Sequence, residues 1–165
     1  MKIRKACSSD KDDISKLHIA SIRKLCVNHY TRDQLNAWTG VLTPSVYDQA
    51  LKEKVFLVAY DSPQDLLGIG ILDVEIAEVS AIYIHPDATG KGVGSKLLNE
   101  LEKIARKSNI FKITVYSTLN AKDFYMVHGY SEQELTFHNL SNGSRLECIR
   151  MVKNLLNNTE HEQQH

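Results

Sequence analysis

The sequence predicts a mixed α/β (α+β) fold in a single domain, in which helices cover both faces of a mostly antiparallel sheet of about seven strands. Three observations lead to this prediction. The 165 residues are 42% hydrophobic and 24% charged, which suits one domain with a substantial core. Seven segments with strand composition alternate irregularly with segments of helical spacing, in the order β-α-α-β-β-β-α-β-α-β-β. The three consecutive strands exclude a purely parallel, doubly wound sheet.

The N-terminal part is predicted to hold a short strand and then helices. Residues 3–7 form the strand, and Ser8, Ser9 and Asp10 supply helix caps. The first helix carries an apolar stripe made of Ile14, Leu17, Ile22 and Leu25. A second short helix opens on a capping box over 31–34 and stops at Gly40, and a third begins near Pro44 and runs through Leu51.

The rest of the chain is predicted to be strand-rich. Residues 55–60 and 66–74 form a hairpin around the turn at 61–65, and a strand at 78–85 follows. A long helix starting at Val93 precedes a strand at 112–118, a short helix at 120–128 and a final antiparallel pair at 130–137 and 145–153. The domain is therefore expected to span 1–153, and the polar segment 154–165 is expected to be a frayed tail.

Charge and composition narrow the class of protein. Twenty basic and twenty acidic residues give zero net charge, which argues against a nucleic-acid binder with a broad basic surface. The chain has no apolar run of about 18 residues and no secretory signal pattern at its start, so we expect no membrane association and a cytoplasmic protein. The three cysteines and seven histidines have no metal-ligand spacing, so we expect reduced thiols and no metal.

The most informative stretch is the strand at 78–85 with the loop and helix that follow it. Gly90, Gly92 and Gly94 occupy alternate positions just before the apolar periodicity of the long helix begins. Loop amides without side-chain cover and the first N–H groups of a helix form a ready anion site. A Walker loop is excluded because no Gly-Lys-Ser/Thr follows, and a dinucleotide fingerprint is disfavoured because its third glycine would fall at Ser95. A glycine-rich turn without a ligand is the plain alternative.

Two motifs resemble one known family. Ile82-Tyr-Ile-His-Pro86 with Gly90-Lys-Gly-Val-Gly94 looks like the acetyl-coenzyme A signature of the GNAT superfamily of N-acetyltransferases. The segment Asn120-Ala-Lys-Asp-Phe-Tyr-Met-Val-His-Gly-Tyr130 resembles the NAxxFYxxxGF segment of that family, with tyrosine in the last place. The resemblance covers nearly the whole chain, although the first 55 residues match only in outline, and it suggests a small bacterial-type member.

The resemblance implies acetyl-CoA as co-substrate and no metal. In the family, backbone N–H groups of the strand contact the pantetheine and the acetyl carbonyl, and amides of the glycine loop hold the pyrophosphate. One departure is Thr89, where the family usually carries Arg or Gln, so we expect a weaker cofactor contact there. Lys91 is either a point charge near the phosphates or a solvated loop residue. The expected cofactor-binding residues are Ile82, Tyr83, Ile84, Thr89, Gly90, Lys91, Gly92, Val93, Gly94, Ser95 and Asn120.

The resemblance also implies catalytic roles. Tyr125 is expected to protonate the departing thiolate, since a tyrosine of ordinary pKa is protonated at neutral pH, and Phe124 is expected to be the core residue of the two. Asn120 resembles the amide that contacts pantetheine or positions the acid, with a helix N-cap as its plainer role. Glu78 is the leading candidate for the general base; the rivals are Asp73, Glu75 and His85.

The acceptor is expected to meet the N-terminal helices, which vary most in this family. His29, Tyr30 and Trp38 are the candidate lining residues, with a core role as the alternative for Trp38. The predicted function is direct transfer of the acetyl group from acetyl-CoA to a primary amine of a small molecule or peptide, in a ternary complex. The alternative is a non-catalytic acyl-CoA-binding or sensing domain of the same fold. The oligomeric state is left open, a homodimer included.

Overall fold

A computed structural model describes residues 1–156 of the chain, and the last nine residues of the predicted tail lie outside the described part. The elements are β1 Lys2–Lys5, α1 Lys11–Leu25, α2 Arg32–Gly40, α3 Asp48–Glu53, β2 Val55–Tyr60, β3 Leu66–Asp73, β4 Glu78–Ile84, α4 Val93–Lys107, β5 Lys112–Ser117, α5 Lys122–Val127, β6 Ser131–Asn139 and β7 Arg145–Asn154. Within this part, no helix is both long enough and apolar enough to cross a membrane.

One seven-stranded sheet organises the chain, in the order β1-β2-β3-β4-β5-β7-β6. Every neighbouring pair is antiparallel except β4 and β5, which run parallel because α4 crosses over between them. The predicted mixed, mostly antiparallel sheet is confirmed.

Helices pack on both faces of this sheet, as predicted. Alternate residues of β2 point to opposite sides: Leu57 and Ala59 belong to the cluster that includes α4, whereas Phe56 and Val58 belong to the cluster that includes α1. Helix α4 contributes its apolar stripe through four fully buried side chains, Leu97, Leu98, Leu101 and Ala105. A third cluster joins the end of α1 and α2 to the β6–β7 connection.

The structure confirms one local prediction and corrects two others. The Thr31 hydroxyl accepts from the Gln34 amide, and the Gln34 side chain accepts from the Thr31 amide, which completes the predicted capping box. The predicted single helix from Pro44 to Leu51 is wrong in detail, because Pro44–Tyr47 forms a 3-10 turn before α3 begins. The predicted tail begins at residue 154, yet Asn154 closes β7 and Leu155 is buried with its amide donating to Phe111.

The sheet splits between β4 and β5. The two strands pair only at Glu78 with Thr114 and at Val79 with Val115. Just beyond this point the β3–β4 register shifts, with Ile71 opposite Ala81 and Leu72 opposite Val79, so that Ser80 is the extra residue of a β-bulge. A bulge bends its strand, and the bend accompanies the divergence that opens a gap in the middle of the sheet.

Candidate active site

A cavity of about 360 Å³ occupies the split on the side of α4 and α5. Its wall combines the end of β4, the glycine loop, the start of α4, the end of α1 and the motif on α5. The residues that line it are Ser21, Leu25, Cys26, Ile82, Tyr83, Ile84, Ala88, Thr89, Gly90, Gly92, Val93, Gly94, Ser95, Thr118, Asn120, Ala121, Phe124 and Tyr125. Ten of the eleven predicted cofactor-binding residues are thus brought together, and exposed Lys91 is the one left out of the wall.

The glycine loop is shaped for close approach by a ligand. Gly90 and Gly92 have φ angles of +74° and +79°, and a Cβ at either position would meet nothing within 4 Å. Left-handed backbone favours glycine, and the open space leaves both amides uncovered. A Cβ at Gly94 would instead come within 3.3 Å of the Phe124 ring, so the third glycine lets α4 pack against α5. The loop thus presents uncovered amides next to the N-terminus of a 15-residue helix, an arrangement that can hold an anionic group.

Thr89, the departure from the family pattern, has a local role. Its hydroxyl donates to the Pro86 carbonyl at 3.1 Å and closes the short turn that starts the loop. His85 begins the same turn, since its Nδ1 accepts from the Asp87 amide at 3.1 Å. The hydroxyl of Ser95 is hydrogen-bonded to His128 Nε2 at 2.9 Å. A ligand would therefore meet Ser95 through its backbone amide.

The split also exposes one edge of β4. The His85 amide donates to Leu67 of β3, and alternation along an antiparallel strand directs the amides of Ile82 and Ile84 the other way, toward β5. Pairing with β5 has already ended at Val79, so these two amides have no neighbouring strand and lie in the wall of the first cavity. They are donors available to carbonyl groups of an extended ligand.

Tyr125 lies in the same wall and is more deeply buried than Phe124, which reverses the expectation that Phe124 is the core residue of the pair. The Tyr125 hydroxyl makes no hydrogen bond to any residue of the described chain, although the side chain is only 4% exposed. Burial raises its pKa above the ordinary value, so the hydroxyl is a proton donor throughout the neutral range.

Asn120 faces this cavity from the turn before α5. Its Oδ1 accepts from the Cys26 thiol at 3.3 Å, which leaves the amide nitrogen free among residues 1–156 to donate to a ligand. Burial raises the pKa of Cys26 to about 12, so the thiol keeps its proton. Asn120 does not cap α5, since Thr118 and Ala121 hold the N-cap positions there, and the plainer role proposed for it is wrong.

A second cavity, of about 480 Å³, lies on the other side of β4. It shares Tyr83 and Thr118 with the first cavity, so the two spaces meet at these residues. Its wall is mostly apolar, with four Tyr or Trp rings, two histidines and two glutamates among nineteen residues. The lining residues are His18, Tyr30, Trp38, Val41, Leu42, Val46, Glu78, Ser80, Ala81, Tyr83, Tyr116, Thr118, His138, Asn139, Leu140, Ser141, Leu146, Glu147 and Cys148.

Glu78 lines this second cavity and is half-buried. Burial raises the pKa of its carboxyl, with Lys54 opposing and Asp73 adding to the shift. Among its rivals, Asp73 is paired with Lys54 at 3.5 Å, Glu75 is exposed in the β3–β4 turn, and His85 belongs to the glycine loop. Glu78 is the one of these four that lines the second cavity.

The predicted acceptor residues separate into two groups. Tyr30 and Trp38 are buried in the wall of the second cavity, whereas exposed His29 lines neither cavity. The Tyr30 hydroxyl donates to the Glu147 carbonyl at 2.6 Å and accepts from the Leu119 amide at 3.1 Å. Tyr30 therefore ties the α1–α2 connection to the strands beyond the split, and burial raises its pKa to about 12.

The tyrosine that ends the second motif has a structural role that sequence reasoning missed. The Tyr130 hydroxyl donates to Glu102 of α4 at 3.0 Å, and Lys153 of β7 donates to both oxygens of that carboxylate at 2.9 and 3.1 Å. Glu102 is 3% exposed, and Arg106 lies 3.6 Å away. The polar ending of the motif is thus matched by a buried charged partner.

Comparison with known proteins agrees with this geometry. The family described as acetyltransferase (GNAT) domain matches residues 26–155. An uncharacterized acetyltransferase of Streptococcus pyogenes is 30% identical over 104 residues, which are 62% of this chain and 68% of that protein. A spermidine N(1)-acetyltransferase of Thermoplasma acidophilum is 26% identical over 127 residues, or 70% and 77% of the two chains.

The solved structures lead to the same family. A GCN5-related N-acetyltransferase from Rhodopseudomonas palustris superposes with a TM-score of 0.86 at 25% identity, covering 93% of this chain and 94% of the other. The PaiA N-acetyltransferase from Thermoplasma acidophilum, solved with coenzyme A, has a TM-score of 0.72 at 22% identity and covers 93% and 98%. The chain belongs to the GNAT family of acetyltransferases.

Proposed function

We propose that the protein transfers the acetyl group of acetyl-CoA directly to a primary amine of a small molecule or peptide, in a ternary complex. The observation that carries this proposal is the meeting of two cavities across β4. One has a glycine loop, free strand amides and a buried hydroxyl, and the other has a half-buried carboxylate among aromatic rings. Two ligands can therefore approach each other beside Tyr83 and Thr118.

In this proposal the chain holds the cofactor through backbone groups. Amides from Gly90 to Ser95 take the pyrophosphate, and the Asn120 amide with the free amides of Ile82 and Ile84 takes the pantetheine arm and the acetyl oxygen. Acetyl-CoA, when bound, supplies an activated thioester. A fixed backbone donor at the point where negative charge develops is worth about 3 kcal/mol of barrier.

Two side chains manage the protons. An alkylammonium group of pKa near 10.4 requires about 4.6 kcal/mol to lose its proton at pH 7. Glu78 accepts that proton, directly or through water, and its raised pKa makes it a stronger base than an ordinary carboxylate. Tyr125 donates its proton to the departing sulfur.

The test is thermal unfolding with acetyl-CoA, free CoA, NAD and ATP, followed by an assay of CoA release with a panel of amines. We expect stabilisation by both CoA forms and amine-dependent release of CoA. Stabilisation by NAD or ATP but not CoA contradicts the proposal. Stabilisation by CoA with no turnover on any amine favours the sensing-domain alternative.

A further inference from the structure

His18 stands out among the polar groups of the second cavity. It lies on α1 within the apolar stripe, is 8% exposed, and lines the cavity. Its Nε2 is the one fully buried side-chain nitrogen or oxygen atom in residues 1–156 without a hydrogen-bond partner, since the oxygen of Tyr125 keeps some exposed surface. A buried polar atom without a partner costs about 1–3 kcal/mol, and none of the roles described above accounts for this atom.

The surroundings of the ring decide its protonation. Burial lowers the pKa of His18 to about 3, so the imidazole is neutral at physiological pH. Nδ1 lies 2.9 Å from the Tyr47 hydroxyl, and the ring lies against Tyr83 with a centroid separation of 4.1 Å. Tyr47 is 5% exposed and makes no other side-chain hydrogen bond in the described chain.

Hydrogen-bond accounting then selects one tautomer. If Nδ1 carried the proton, both the Tyr47 hydroxyl hydrogen and Nε2 would be left without a partner. If Tyr47 donates to Nδ1, the neutral ring carries its proton on Nε2, and only that N–H lacks an acceptor. His18 is therefore an uncharged hydrogen-bond donor in the wall of the second cavity.

The charges of the same wall limit what the donor can receive. Glu78 and Glu147 are the acidic residues of the lining, His138 is the other titratable imidazole, and no lysine or arginine lines this cavity within the described chain. Lys54 lies outside the lining, 3.4 Å from the Ser80 hydroxyl, and is paired with Asp73 at 3.5 Å. The wall itself therefore carries two carboxylates and no cation, and such a wall attracts an ammonium group and disfavours a carboxylate. The oxygen that meets His18 must therefore be neutral.

We propose that the acceptor is a cationic amine that carries a neutral oxygen, an amide carbonyl or a hydroxyl, and that His18 Nε2–H binds this oxygen and selects against the corresponding carboxylate. The inference rests on the proposed function, since it names the acceptor class of the same site. Aromatic rings of Trp38, Tyr83 and Tyr116 in the wall suit an apolar or aromatic body next to the amine.

The test uses four matched amines: phenylalaninamide, phenylalaninol, phenethylamine and phenylalanine. We expect kcat/KM for the amide and the alcohol to exceed that for phenethylamine by about 10-fold, as for a buried donor that gains its partner, and phenylalanine to be the poorest substrate. The same four compounds are also titrated calorimetrically into the CoA-loaded protein, and the affinities should follow the same order.

Two variants assign the effect to His18. His18→Phe should reduce the preference for the amide over phenethylamine to about one, whereas His18→Gln, which keeps an N–H donor, should retain part of it. Tyr47→Phe removes the hydroxyl that fixes the proton of His18 on Nε2, so it should lower the preference for the amide. Tyr47 is not one of the residues that line the second cavity. Thermal unfolding of each variant checks that it folds.

The outcomes separate the two proposals. Equal affinity for the amide, the alcohol and phenethylamine overturns the inference, as does an undiminished preference in folded His18→Phe or tightest binding of phenylalanine. Absence of binding by all four also overturns it. Binding in the expected order without any acetylation supports the inference about the cavity and contradicts the proposed transfer reaction.

Discussion

Two tyrosines of one motif should respond differently to replacement by phenylalanine, with lost activity at Tyr125 and lost stability at Tyr130. Tyr125 and Tyr130 lie five residues apart with ring centroids 5.4 Å from each other, and both are buried. The Tyr125 hydroxyl has no hydrogen-bond partner in the described chain, and Tyr125 lines the first cavity. The Tyr130 hydroxyl donates to the buried carboxylate of Glu102.

The magnitudes follow from these contacts. Tyr125→Phe leaves no protein group unpaired, so the free energy of unfolding should stay within about 1 kcal/mol of the wild type. A general acid contributes about 10²–10⁴-fold, so kcat should fall by that range while the Kd for CoA changes little. Tyr130→Phe removes a hydrogen bond to a charged group and should cost about 1.5–3 kcal/mol of stability, with kcat nearly unchanged.

The assays are urea unfolding, calorimetric titration with CoA, and steady-state CoA release at saturating amine. Because burial raises the pKa of Tyr125, its loss should lower kcat equally across the neutral range instead of moving a limb of the pH profile. Full activity of folded Tyr125→Phe would remove this residue from the acid role. Equal losses of activity in both variants would show that packing, not the hydroxyl, is responsible.

Three further perturbations test the loop, the base and the N-terminal ion pair. Gly92→Ala places a side chain at φ +79° and should therefore cost about 1–2 kcal/mol of stability. Calorimetric titration should also show weaker CoA binding. Unchanged affinity would argue against the loop as the phosphate site. Glu78→Gln should abolish the acid limb of the kcat/KM pH profile, which the raised pKa of this carboxyl places above the ordinary carboxylate range. The variant should not lose stability at pH 7, because folding favours the protonated form of Glu78, which glutamine resembles. Asp73→Asn is the control, and an acid limb that survives in Glu78→Gln would assign the base to another residue. Asp10, bonded by both terminal nitrogens of Arg4 at 2.8 and 2.9 Å, has its pKa lowered from 3.8 to about 2. Its contribution is at most about 2 kcal/mol, because solvent screens the exposed Arg4 partner; it is fully present well above pH 3.8 and is lost as pH falls through 2. Urea unfolding of Asp10→Asn should therefore show a clear deficit at pH 7 that shrinks toward pH 2, and a deficit independent of pH would contradict the charge argument.

Local patterns predicted the elements, and most of the residues that line the first cavity, because the relevant information lies close together in the sequence. The capping box at Thr31 lies within four residues. The strand, glycines and helix that begin at Glu78 likewise follow one another without interruption in the sequence. Alternate glycines also indicated a backbone binding site, because Gly90 and Gly92 require left-handed backbone that other residues adopt at a cost.

Contacts between distant residues could not be predicted in this way. Glu102 meets Lys153 across 51 residues, and Cys26 meets Asn120 across 94, so no spacing rule connects either pair. His18 did leave a signal, since it lies four residues from both Ile14 and Ile22 and thus interrupts the apolar stripe of α1 with a polar side chain. Sequence alone could not show that β4 would place a tyrosine ring against it.

Transfer itself is tested most directly by mass spectrometry of a reaction that contains the protein, acetyl-CoA and a primary amine such as phenylalaninamide. The account predicts that N-acetylated amine and free CoA form in equal amounts, and that the protein incubated with acetyl-CoA alone carries no added acetyl mass. An acetylated protein that is consumed when amine is added would contradict direct transfer. Tight CoA binding without an acetylated product from any amine would contradict the assignment of a transferase activity.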